Sequence, residues 1–456
     1  MQLFRSEARH PARMHKKIYK IELKKNKGTW RGQRTINLNK HMTEGMRFRN
    51  KLAYDLIRGI PQMVGLRTQF VHLYVKDNTE ESGVKFEDYG IYTQVEQLNK
   101  TALKSHGLDS NGQLYKINSF EFYRYEDIIK KEDDAGYDKT AFEKMLEIKG
   151  DSDHTKLIDM LTDLNDYSIG IEDVLKEHFD EENIVYWMAF QILMGNVDTQ
   201  NRNVYLYSPL NSDIWYFIAW DNDGCLMRPE YELRNFSDQN SWEKGISNYW
   251  GNILFQRCLK SRSFREKLND AILDLREYLN KDMLTSKIES YKNVLKPYLY
   301  LMPDAEYEPL TSEQYDQIAA SLPDEIEKNY QLYLESLETP MPFYIGVPSI
   351  DGDKLKFNWD VSYDLDAEDI TYSVEVARDY LFQDVIYQNT TLTVPEAEMD
   401  LPNAGQYFVR VRATNTSGKT QDAFDYYVTD EGKHYGMKCF YITEDNTVEE
   451  DIYEEG

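Results

Sequence analysis

The sequence predicts an α+β chain in three parts. A small mixed lobe covers residues 1–117, a mostly helical lobe 118–336, and a small all-β sandwich 341–430. Three observations predict it. Period-two alternation opens the chain, 3.6-residue periodicity dominates its middle, and turn-separated period-two segments return beyond a Pro-bounded break. A chain of 456 residues also needs more than one core.

Within residues 16–25, Tyr19, Ile21 and Leu23 alternate with Ile18, Lys20 and Glu22, which predicts a strand. Met46, Arg49, Leu52, Ala53, Leu56 and Ile57 recur at helical spacing over 46–58. Residues 68–76 and 89–95 are rich in strand formers, and the polar stretch Asp77 to Asp88 makes them a hairpin. Asp180-Glu181-Glu182 supplies a helix cap and first-turn acids; Val185, Met188, Ala189 and Ile192 continue that helix. Two short strands, Asn203–Tyr207 and Ile214–Ala219, flank a Pro/Asn/Ser turn. Helices fill about 250–336, Phe264 to Leu279 among them. Thr339-Pro340-Met341-Pro342 reads as a linker. Beyond it Leu355-Phe357-Trp359, Tyr372-Val374-Val376 and Tyr407-Val409-Val411 alternate, as sandwich strands do. The last 13 residues hold seven acids and no base, so 431–456 reads as an acidic, frayed tail.

Composition narrows the function classes. A hydrophobic fraction of 41% with 29% charged residues suits a soluble globular protein. No apolar run reaches the roughly 18–20 residues of a membrane helix, and Met1 to Ser6 shows no signal-peptide core. Cys225, Cys258 and Cys439 have no metal-ligand or disulfide spacing and read as buried free thiols. A net charge of −26 argues against nucleic acid as a partner. Residues 1–50 depart from that balance, with 14 Lys/Arg against three acids. Such a segment suits a phosphate-bearing ligand, or is simply a solvated basic strand pair.

The chemistry concentrates in two segments: Met194 to Tyr207, and Ile218-Ala-Trp-Asp-Asn-Asp-Gly224. Asp198 and Asn203 lie five apart where a helix ends and a hairpin begins; Asp221 follows the hairpin's second strand, with Asp223 two further on. Because the ends of an antiparallel hairpin meet, these oxygen-bearing side chains are expected at one sheet end. Hard cations take oxygen ligands. Phosphoryl transfer uses one carboxylate to orient the attacking hydroxyl, and a carboxylate with an amide to hold metal on the phosphates. Asp and Asn also favour turns and caps, so the local pattern alone leaves that reading open.

The run Gly195-Asn-Val-Asp198 … Asn203-Val-Tyr-Leu-Tyr207 … Trp220-Asp-Asn-Asp223 resembles the CotH kinase family, known from spore coat proteins. His15 to Leu23 is similar to that family's early strand, Met46 to Leu56 to its first helix, and Tyr89-Gly-Ile-Tyr-Thr-Gln-Val-Glu-Gln97 to its G-x-Y-x-x-x-E segment. The likeness covers roughly residues 13–290. It implies a two-lobed, atypical protein-kinase-like fold that transfers phosphate from ATP to Ser/Thr of a protein substrate with Mg²⁺ or Mn²⁺. By that resemblance Asp198 is the catalytic aspartate, Asn203 and Asp221 are metal ligands, and Asp223 assists. Lys17 or Lys20 reaches the ATP phosphates; the two lie on opposite faces of a strand, so only one points into the cleft. Glu96 ends a strand where a kinase hinge lies, near adenine, or is a solvent carboxylate. The family's glycine-containing turn before the early strand is absent here; Arg9 and Arg13 stand in its place as candidate phosphate contacts. Residues 341–430 resemble, more weakly, a fibronectin type III-like module, with Tyr407 at a tyrosine-corner position and Trp359 in the core. The resemblance favours a spore-coat, cell-surface or secreted setting, with coat or surface proteins as substrates. The competing expectations are a non-enzymatic coat or surface protein with a vestigial cleft, and a small-molecule kinase.

Overall fold

The computed structural model describes residues 2–3, 18–24, 26–42, 44–76, 85–234, 240–430 and 432–451. Arg9, Arg13 and Lys17 lie outside the described residues, as does most of the turn expected between 77 and 88. The chain divides into two compact units, Met1–Ser237 with Asn252–Tyr330, and Asp238–Gly251 with Gln331–Gly456.

The first unit opens with an antiparallel sheet of β1 (Gln2–Leu3), β2 (Tyr19–Glu22), β3 (Thr35–Asn39), β4 (Thr68–Val75) and β5 (Glu87–Glu96), in the order β1-β2-β3-β5-β4. The expected alternation in β2 holds: Tyr19 and Ile21 are buried, Lys20 and Glu22 exposed. Tyr19, Ile21, Ile36, Leu38, Tyr89 and Tyr92 form one apolar cluster on this sheet. The helix Arg49–Ile57 connects β3 to β4. It buries seven of its nine residues, Arg49 and Asn50 included, so its buried face is partly polar.

A second sheet follows, built from β6 (Gln113–Ile117), β7 (Leu146–Ile148), β8 (Val204–Ser208) and β9 (Tyr216–Ala219) in the order β7-β6-β8-β9. The strand that ends at 117, where the sequence places the lobe boundary, belongs to this second sheet. β6 pairs with β7 and β8, not with the first sheet. Its register, Lys116 opposite Tyr205 and Leu114 opposite Tyr207, binds it to the hairpin that carries the site. Helix Glu181–Leu193 is capped by Asp180, whose carboxylate accepts from Asn183 N at 2.9 Å, and it delivers the chain to that hairpin. Long amphipathic helices, Arg262–Tyr278 and Lys281–Leu299 among them, pack the remainder.

The second unit contains the expected all-β sandwich. One sheet pairs Ser349–Asp351, Lys354–Asn358 and Glu396–Asp400; the other runs Val385–Leu392, Ile370–Ala377, Gly405–Asn415, Met437–Ile442, Val448–Glu450. Leu355, Phe357, Trp359, Tyr372, Val374, Val376, Tyr407, Val409 and Val411 meet in its core. Two expectations fail here. Residues 339–342 are buried, and Met341 N donates to Tyr363 O at 2.7 Å, so this segment is packed backbone and not a free linker. The acidic tail expected over 431–456 holds three strands as far as Glu450. Met437–Ile442 pairs with Gly405–Arg410 and buries Met437, Cys439, Phe440 and Ile442. The acids that suggested fraying lie mostly after these apolar residues, so net charge hid a short strand.

Candidate active site

The helix Glu181–Leu193 ends at Met194, and Gly195 at φ +58° turns the chain into the loop carrying Asp198. That loop is tied to the turn after β9 by a side-chain relay. Asn196 Nδ2 donates to Gln191 Oε1 at 3.0 Å, and Gln191 Nε2 donates to Asn222 Oδ1 at 3.2 Å. Leu226 N donates to Met194 O at 2.7 Å, and Trp220 N to Asn203 O at 3.1 Å, closing the two ends of the hairpin on each other. The loops touch at Gly224, where an added Cβ would lie 2.6 Å from Asn196 Oδ1 and 3.9 Å from Asp198 Cβ. Asp198, Asn203, Asp221 and Asp223 thus share one corner. Asn203 and Asp221 both hold left-handed backbone, at φ +59° and +50°. Asn and Asp tolerate that region better than other side chains, so part of their presence is turn chemistry. The same strain aims side chains at functional sites.

The four side chains have different partners. Asn203 Nδ2 donates to Asp198 Oδ2 at 2.7 Å and to Asp198 O at 3.0 Å, while Arg202 Nε lies 3.2 Å from Asp198 Oδ1. Burial still raises the Asp198 pKa, against the pull of Arg202 and Asn203. Asp221 is half-buried, and the hydrogen bond to its carboxylate is a long one, from Asn50 Nδ2 at 3.4 Å. Burial first, and then the charge of Asp223, push its carboxyl up to about 6. Asp223 is held below its ordinary value although burial opposes this, because His41 Nδ1 stands 3.5 Å from its Oδ2. The helix Arg49–Ile57 braces the turn: Asn222 N donates to Asn50 Oδ1 at 3.2 Å, and Asp221 N to the Tyr54 hydroxyl at 3.1 Å. Among the described residues, Asp198, Asp221 and Asp223 do not close within 4.8 Å of one another as a ready-made three-carboxylate cage. The donors are nonetheless all oxygens, and Asp221 is a poorly compensated anion. A hard divalent cation with waters and phosphates completing its shell fits that deficit.

Lys20 is exposed, stands 3.8 Å from Glu22, and shares its face of β2 with Asn37 of β3, its cross-strand partner. Asn37 Nδ2 donates to Gln97 Oε1 at 3.0 Å, and Gln97 Nε2 to the Tyr205 hydroxyl at 3.5 Å, so this face of the first sheet looks toward β8. Glu96 is not a solvent carboxylate. It is fully buried and accepts from Arg67 N at 3.0 Å, Arg67 Nε at 2.9 Å, Arg67 Nη2 and His106 Nε2 at 2.8 Å. Burial would raise its pKa, but these bonds hold it at about 2. The G-x-Y-x-x-x-E segment is structural throughout. Gly90, at φ +76°, leaves the space that the Asp304 carboxylate fills, and Asp304 also accepts from Ile91 N at 2.8 Å. Lys40 joins it, 2.6 Å from Asp304 Oδ1 and lying over the Tyr92 ring.

Sequence reasoning missed His41, Asn50, Tyr54, Arg202 and Lys116. Arg202 lies inside the D-x4-N window, and Asn50 and Tyr54 inside the first-helix motif. His41 and Lys116 carry no local signal, since only tertiary contacts bring them to the corner.

The family model of the CotH kinase protein matches residues 9–333. Inner spore coat protein H of Bacillus subtilis is 23% identical over 306 residues, which cover 66% of this chain and 78% of that protein. The crystal structure of a Helicobacter pylori proinflammatory kinase, CtkA, aligns over 70% of this chain and 94% of its own, at 12% identity and a TM-score of 0.34. The HipA, HipB and operator DNA complex of a Shewanella oneidensis toxin–antitoxin system aligns over 66% of this chain and 58% of its own, at 9% identity and a TM-score of 0.26.

Proposed function

The chain belongs to the CotH kinase protein family, and from that premise we propose that it is an ATP-dependent protein kinase acting on Ser or Thr of a protein substrate. The observation that carries this reading is the pairing of two differently placed carboxylates on adjoining loops. Asp198 is half exposed, at the mouth of its loop; Asp221 is half-buried, and among the described residues its carboxylate accepts one long hydrogen bond, from Asn50. Mg²⁺ or Mn²⁺, when bound, neutralises the phosphate charge, and Asp221 and Asn203 would hold it with Asp223 beside them. Asp198 orients the substrate hydroxyl and accepts its proton as the hydroxyl oxygen bonds to the γ-phosphorus and ADP leaves. Its raised pKa suits a proton acceptor working nearer neutrality than an ordinary aspartate does. The half-buried setting of the site limits water as a competing acceptor.

The relative's name, inner spore coat protein H, supports a coat or surface setting and a coat or surface protein as substrate. No helix of the described residues is long and apolar enough to cross a membrane. The second unit reads as a fibronectin type III-like module, supported by the Tyr407 hydroxyl donating to Asn403 O at 2.7 Å, the bond of a tyrosine corner. The test is incubation of the full chain with γ-labelled ATP, Mg²⁺ or Mn²⁺ and a basic, Ser-rich peptide. Wild type transfers label. Asp198→Asn keeps metal-dependent ATP binding and loses turnover by a factor of roughly 10² or more, whereas Asp221→Asn loses both. Undiminished transfer by both variants would return the protein to the non-enzymatic coat reading.

A further inference from the structure

Three carboxylates at the corner are matched by three cationic groups: His41, Arg202 and Lys116. Two are committed. His41 is engaged with Asp223 and Arg202 with Asp198. Lys116 makes no ion pair among the described residues. It lies on β6 directly opposite Tyr205 of β8 and Glu147 of β7, so the three side chains share one face of the second sheet. Glu147 is engaged by Lys149. The Tyr205 ring meets the Trp220 ring edge-on at 5.2 Å, and Trp220 precedes Asp221. The Tyr205 hydroxyl also receives Gln97, whose side-chain oxygen accepts from Asn37. Lys116 therefore stands on the face of the second sheet that looks toward the first, across from the strand that follows Asn203.

Lys40 is buried and locked to Asp304, and Lys20 lies beside Glu22. We propose that Lys116 binds a phosphate of the nucleotide, so that the cation facing the phosphates comes from the second sheet. This assignment rests on the ATP-dependent reading above. A half-buried lysine that makes no ion pair among the described residues, on the strand paired with the hairpin that carries the site, is placed to meet an anion that the metal brings in.

The experiment measures Mn²⁺-dependent binding of ATP, ADP and adenosine to full-length wild type, Lys116→Ala and Lys116→Arg, with ligand-free melting temperatures alongside. Lys116→Ala should weaken ATP and ADP roughly ten- to hundredfold, the range of one charge-assisted hydrogen bond. It should leave adenosine unchanged, and Lys116→Arg should retain most of the affinity. ATP binding by Lys116→Ala equal to wild type overturns the assignment, as does an equal loss of ATP and adenosine. If Lys116→Ala melts well below wild type, Lys116→Gln takes its place: loss of ATP with adenosine spared upholds the assignment, and ATP binding equal to wild type overturns it. Wild type that binds no ATP with metal overturns the kinase reading itself, an outcome distinct from the others.

Discussion

The turn after β9 and the end of β5 each draw an acid into the first unit, and they surround it in opposite ways. Glu96 is fully buried and saturated, with donors from Arg67 and His106 on both oxygens. Its pKa falls to about 2. Asp221 is less buried, yet among the described residues its carboxylate accepts one long hydrogen bond, from Asn50, and burial with the charge of Asp223 outweighs His41 and Lys116, so its pKa rises to about 6. Burial costs both groups the favour of water. What separates them is whether the protein replaced that water with its own donors. A saturated acid holds a fold together, whereas an acid left short of donors is a place for something absent from the chain.

The comparison breaks most visibly at Glu96. Glu96→Gln removes a charge whose partners remain and should cost about 3 kcal/mol, from the pKa displacement at roughly 1.4 kcal/mol per unit. Denaturant unfolding at pH 7 measures it. Because the folded pKa is depressed, this stabilisation is complete above about pH 4.5 and fades as pH falls toward 2. Wild type and variant should therefore converge in acid.

A smaller effect sharpens the Asp221 side. Its folded pKa is raised, so below about pH 6 a metal must displace a proton. Mn²⁺ affinity should fall roughly tenfold per pH unit below 6 and level off above 7. Titration calorimetry from pH 5 to pH 8 tests it, and a flat profile would remove Asp221 from the ligand set.

The same contrast explains what could be read from the sequence. Periodicity shows which residues share a face, so β2, the helix Arg49–Ile57 and the sandwich strands around Trp359 and Val409 were legible. Spacing plus a hairpin brought Asp198, Asn203 and Asp221 to one corner. Partner counts are not written in spacing, so the buried clasp that Arg67 and His106 make around Glu96 was not legible. Lys116 and His41 went unseen because strand pairing and a left-handed turn at His41, not neighbours in sequence, carry them to the site. The sheet that takes the strand ending at 117 and the burial of 339–342 were not legible for a similar reason. A strand's sheet, and the burial of a Pro-rich segment, are decided by distant partners.

The most direct test of the contrast is the melting temperature of wild type and Asp221→Asn at pH 7.5, each without divalent metal and with Mg²⁺ or Mn²⁺. Removing an uncompensated charge should raise the metal-free melting temperature of Asp221→Asn above wild type, and metal should lift wild type while leaving the variant nearly unmoved. A variant that melts below wild type without metal, or that responds to metal as wild type does, would contradict the account and make Asp221 a second Glu96.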